Sequence, residues 1–142
     1  MAITPLNGDL TAGVAGQSSD IINPSANPFF TGDAPQPAAF SYPLPANAVL
    51  AAHTVVGFDA NGRIIPAVLG TTAAIGITVY ACDATGKAND AEYVGVYRMG
   101  VFNPDLCVWG ATYDTDAKKR KAFEGAPTPT AIFIVKPTTM TV

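Results

Sequence analysis

One histidine, two cysteines and a run of four cations are the side chains here whose types could carry chemistry. His53 follows Ala51 and Ala52 and reads as a surface or packed residue rather than a general base, because acid-base work needs a partnered, perturbed setting. Cys82 and Cys107 have no motif around them that would activate a thiolate. They could form one disulfide, but two cysteines without an export signal make no framework, so they read as buried free thiols. Asp59-Ala60-Asn61-Gly62 opens like a calcium loop, yet an EF-hand needs further acidic ligands and a closing Glu, and Arg63, Ile64 and Ile65 follow instead. No glycine-rich phosphate loop, metal-ligand spacing or Gly-x-Ser-x-Gly elbow occurs. The expectation is a protein that is not an enzyme, with no catalytic residue, metal or cofactor. Lys118, Lys119, Arg120 and Lys121 would spread around more than half of a helix, which suits a solvated rim. The sharper reading is an electrostatic contact with an acidic partner surface or a neighbouring subunit.

The elements that must hold these residues are mainly strands. Val49-Leu50, Val55-Val56-Gly57-Phe58 and Ile64-Ile65 are short apolar runs separated by turn residues. Asn61-Gly62 supplies the positive φ of a tight hairpin between the last two. Residues 74–80 and 93–99 are dense in β-branched and aromatic residues and predict two further strands, and 131–135 a last one. Asn103-Pro104 marks a turn between the apolar stretches 101–102 and 107–109. One helix is predicted over 116–124, capped by Asp114 or Thr115 and ended by Gly125, with Asp116 and the cations suiting its dipole.

At 142 residues the chain fits one core, and 49% hydrophobic against 13% charged residues leaves a surface covered largely by neutral groups, suited to burial against partners. A net charge of −3 with 8 Lys and Arg excludes general, direct nucleic-acid binding. Met1 opens onto no basic n-region and no long apolar run follows, so neither export nor membrane insertion is expected, and synthesis is expected in the cytoplasm.

Residues 1–41 differ from the rest. Pro5, Pro24, Pro28, Pro35 and Pro37 punctuate small residues, the only charges are Asp9, Asp20 and Asp33, and no Lys or Arg precedes Arg63. Such a segment builds no core of its own, yet Ile3, Leu6, Leu10, Val14, Ile21, Ile22, Phe29 and Phe30 are too apolar for a plain linker. It reads as an extended arm that binds a partner, mobile when free and ordered on that partner, with a β-rich core over 42–136 and a tail over 137–142. An arm of this kind can add a strand to an exposed sheet edge.

The order of features from Ala74 to Val135 resembles the phage lambda head decoration protein family. A Gly-Ile-rich strand is followed by one ending in Arg98-Met99-Gly100-Val101-Phe102, then Leu106-Cys107-Val108-Trp109, then residues 114–125, Asp-Thr-Asp-Ala-Lys-Lys-Arg-Lys-Ala-Phe-Glu-Gly. The apolar runs between Ala48 and Val68 also fit, so the resemblance covers roughly 42–136, and the arm matches in character only.

What the resemblance implies is a β-clip-like small barrel or sandwich that trimerises and caps threefold and local threefold sites on the outer surface of an expanded capsid, stabilising the head. The major capsid protein would be the partner of the arm, and a second and third copy of the chain the partners of the core. Phe102, Pro104, Leu106 and Trp109, grouped around a rigid turn, are the expected trimer contact. The acidic surface facing Lys118 to Lys121 would be that of the capsid or a neighbouring subunit. The alternative is a phage or envelope surface-binding accessory module, such as part of a spike or fibre.

Overall fold

The computed structural model describes residues 28–124 and 131–137. In chain order the elements are β1 (Phe30–Gly32), β2 (Ala38–Pro43), β3 (Val49–Leu50), β4 (Val55–Phe58), β5 (Ile64–Pro66), β6 (Gly76–Thr78), β7 (Cys82–Asp83), β8 (Tyr93–Phe102), a 3-10 turn (Pro104–Leu106), α1 (Asp116–Lys121) and β9 (Ala131–Ile134). The longest of them, β8, organises the rest. Its run of valines and aromatics is the most strand-prone stretch described, and it pairs with β1, β2, β6 and β9. The main sheet has seven strands, with the path β1-β8-β6-β4-β5, and β3 with β7 makes a separate small ribbon. Pairing is antiparallel except for β9, which runs parallel to β8 from Met99↔Ala131 to Phe102↔Ile134. Among the described residues the fold is mainly β with one short helix, as expected, but the sheets do not close into a barrel.

Gly100 explains how one strand serves so many neighbours. Up to Met99, β8 pairs with β2, and at Tyr97 and Val96 with β6; beyond it, Val101 and Phe102 pair with β1. Gly100 sits at the changeover with φ +139°, and a Cβ there would lie 2.8 Å from the Phe102 ring. Only glycine takes that backbone without strain.

At β4 and β6 both faces of the sheet are buried, which is why these central strands read as continuously apolar rather than alternating. Val55 and Val56 are consecutive in β4 and point to opposite faces. Val55 joins Ile77, Phe102, Phe123, Ile132 and Ile134 in one core, and Val56 joins Leu44, Leu50, Ile64, Val94 and Val96 in the other. The β4–β5 hairpin forms as predicted: Gly62 has φ +78°, and the Asp59 carboxylate accepts from the amides of Asn61 (2.8 Å) and Arg63 (2.9 Å). That use of Asp59 is a turn, not a cation site.

Among the described residues strand pairing begins at Phe30, ahead of the change in residue texture at Tyr42. Pro35 and Pro37 stand in the link between β1 and β2 and conceal both in the sequence, because proline this close argues against a strand. The helix is shorter than expected and ends at Lys121, with the Thr115 hydroxyl capping the Lys118 amide at 3.2 Å. Gly125, its expected terminator, lies outside the described residues.

Candidate functional site

Where the described fold starts, at Pro28, its first residues are held by groups far along the chain. Asn103 is fully buried at the end of β8. Its side-chain Nδ2 donates to the Pro28 carbonyl (3.0 Å) and its main-chain N–H to the Phe29 carbonyl (2.8 Å), while its Oδ1 accepts from the Asp105 amide (3.0 Å) and caps the 3-10 turn. A buried amide is costly unless its groups find partners, and here they do. Phe29 stacks on the His53 imidazole, centroids 3.8 Å apart and 14° from parallel, and packs against Phe102 at 5.2 Å. Phe30 meets Tyr97 edge to face at 5.5 Å. His53 has a left-handed backbone, φ +62°, with its N–H donating to the Thr78 carbonyl and its carbonyl accepting from Val108 N–H. In the sequence Asn103 is legible only as a turn residue and His53 only as a lone histidine; their meeting at Pro28 and Phe29 leaves no local trace.

Of the arm residues, Phe29 and Phe30 therefore lie on the sheet, Phe29 half-buried and Phe30 38% exposed. Ile3, Leu6, Leu10, Val14, Ile21 and Ile22 lie outside the described residues.

The segment expected at a subunit contact divides in two. Phe102 and Pro104 are turned into their own chain's interior, whereas Leu106 is 37% exposed and its neighbour Val108 45%. Trp109 is half-buried: its indole N–H donates to the Pro104 carbonyl (2.9 Å) and its ring packs on Tyr113 at 5.3 Å. Phe102 is thus a core residue whose side chain offers no surface, because β8 carries it between β1 and β9.

The four cations also separate. Lys118 pairs with Asp114 at 2.7 Å, one helical turn back, and Lys119 lies 6.0 Å above the Trp109 ring. Arg120 and Lys121 are exposed and have no ion pair among the described residues. Asp116 is bound instead by Lys136, at 2.9 Å. Hydrogen bonds and charge from these lysines hold the Asp114 and Asp116 carboxyls below their ordinary value. Cys82 and Cys107 are free thiols; burial raises both, and that of Cys107 is pushed up to about 12.

Much of the outer surface is apolar. Phe40, Tyr80, Tyr93 and Phe133 are each more than half exposed, in keeping with the low charge of the sequence. The Arg98 guanidinium lies against the Tyr42 and Phe58 rings, 5.7 and 5.8 Å from their centroids, its Nη1 donating to the Tyr42 hydroxyl at 2.8 Å.

Among curated proteins no match is found. The family model for bacteriophage lambda head decoration protein D matches residues 26–128, a span that holds the Asn103 site, the 3-10 turn and the basic helix. With that match over well more than half of its length, the chain belongs to the bacteriophage lambda head decoration protein D family, and its role is structural, on the capsid of a phage virion.

Proposed function

We propose that this protein binds the outer surface of the expanded head as a homotrimer at threefold and local threefold sites and stabilises the shell. It has no catalytic role, cofactor or metal, and no direct nucleic-acid or membrane partner. The observation that carries the reading is the family match over residues 26–128. The residues that reach the major capsid protein are Ile3, Leu6, Leu10, Val14, Ile21 and Ile22, on an arm rooted at Phe29 and Phe30. A charge-poor arm must hold by apolar burial and backbone pairing, which salt screens little. Three arms on one trimer act together, and linked contacts can exceed a single one by about 10² to 10⁴. Within the trimer, Leu106 and the edge of Trp109 face the neighbouring copy, and Phe102 and Pro104 hold that surface from beneath. Arg120 and Lys121 face acidic groups of the shell. Each protomer is made in the host cytoplasm and added to the assembled head.

The test is a cryo-electron microscopy map of undecorated, expanded heads mixed with the protein. Added density at the threefold and local threefold positions, with three arms running onto capsid subunits, is expected. Heads that stay bare at saturating protein, or density confined to a spike or fibre, would sink the proposal.

A further inference from the structure

Residues 1–27 join the described fold at Pro28, and two unusual features converge on that junction. One is the buried Asn103, whose side-chain amide donates to the Pro28 carbonyl and caps the 3-10 turn while its main-chain N–H donates to the Phe29 carbonyl. Leucine would fill the same space without needing partners, so packing alone does not call for an asparagine there. The other is His53, a non-glycine residue at φ +62°, which holds its ring flat against Phe29. A left-handed backbone is a strained choice for such a residue and persists only where the surroundings hold it. The turn that presents His53 is held in place by the Thr54 amide donating to the buried Thr78 hydroxyl at 2.9 Å.

We infer that Asn103 and His53 are positioning residues for capsid attachment: they set where residues 1–27 leave the domain and couple that exit to the turn Pro104–Leu106. The inference rests on the reading of residues 1–27 as the capsid-binding arm. An arm whose root is already fixed has less freedom to lose on reaching its site, so the anchor lowers the cost of binding without touching the shell. Loosening it should appear mainly as faster release.

The test compares full-length wild type, His53→Asn, Asn103→Ala and Phe29→Tyr. Asparagine tolerates the left-handed backbone and lacks a ring to stack, so His53→Asn should fold, with a melting temperature lowered by no more than about 5 °C. From the usual worth of an aromatic contact, release from undecorated heads should quicken roughly threefold to tenfold per arm. Exchange of the Asn103 amide hydrogen, which is donated to Phe29, should quicken by a similar factor in the free protein. Phe29→Tyr keeps the stack and should release and exchange as wild type does, the control that ties both rates to the ring contact. Asn103→Ala should release faster still; if it does not fold, His53→Asn decides.

Folded His53→Asn that leaves heads at the wild-type rate overturns the inference. Should wild type itself fail to bind heads, the capsid-binding reading falls, and amide exchange alone judges the anchor: unchanged protection at Asn103 in His53→Asn overturns that too.

Discussion

Thr78→Val isolates one buried hydroxyl that supports the turn beneath Phe29. Thr78 is fully buried in β6, and its Oγ1 accepts from the Thr54 amide at 2.9 Å while donating to the Ala51 carbonyl at 3.0 Å. Valine has the same shape, so no cavity opens and no atom is forced aside. The Ala51 carbonyl keeps its other donor, the Thr54 hydroxyl at 2.7 Å. The Thr54 amide loses the acceptor it has in the wild type, in a residue that is itself buried. A buried donor left without a partner costs about 1 to 3 kcal/mol, so the expected loss is about 2 kcal/mol. At roughly 4 °C per kcal/mol for a domain of this size, the melting temperature should fall by about 8 °C. Thr78→Ser is the control: it keeps the hydroxyl and gives up one methyl, a loss of about 1 kcal/mol. The assay is thermal unfolding followed by circular dichroism, with all three proteins at one concentration so that association cannot shift the comparison. A valine variant as stable as wild type, or a serine variant weaker than the valine one, would refute this account of the 51–54 turn.

Gly76→Ala should be among the most damaging small changes, costing about 3 kcal/mol, since the new Cβ would lie 2.3 Å from Val96 Cγ1 and 2.6 Å from the Tyr97 carbonyl oxygen, and a backbone atom paired in the sheet cannot retreat; denaturant midpoints read it, and a shift within error would count against the packing described. With the Cys107 thiol near 12, about one molecule in ten thousand carries the reactive thiolate at pH 8. A thiol reagent should therefore modify Cys82 first and reach Cys107 only on unfolding, as peptide mass mapping would reveal; equal native rates would contradict the burial. Asp116 is held below its ordinary 3.8 by Lys136, so the pair's contribution is complete above that value and disappears as pH falls through the lowered one. In Lys136→Met the Asp116 titration followed by NMR should move up toward 3.8 while that of Asp114, paired with Lys118, stays low; an unmoved Asp116 would exclude the pair in solution.

Reading the residues alone was sufficient wherever the determining contact is local. The Asp59 to Gly62 hairpin closes through its own side chain and one positive φ, and Thr115 caps α1 three residues on, so both are legible in a short window. The long strand β8 announces itself by its valines and aromatics, and the family emerged from the order of those features. What needed the tertiary structure are the pairings between distant positions. β1 and β2 are strands because β8 supplies their partners, against the local vote of the prolines around them. Phe102 looked as available to a neighbour as Leu106 does, and only the fold turned it inward, between β1 and β9. The grip of Asn103 on Pro28 spans 75 residues and the stack of His53 on Phe29 joins separate loops. No periodicity or spacing records such contacts, because the energy that selects them is gained only when the whole sheet has brought their backbones together.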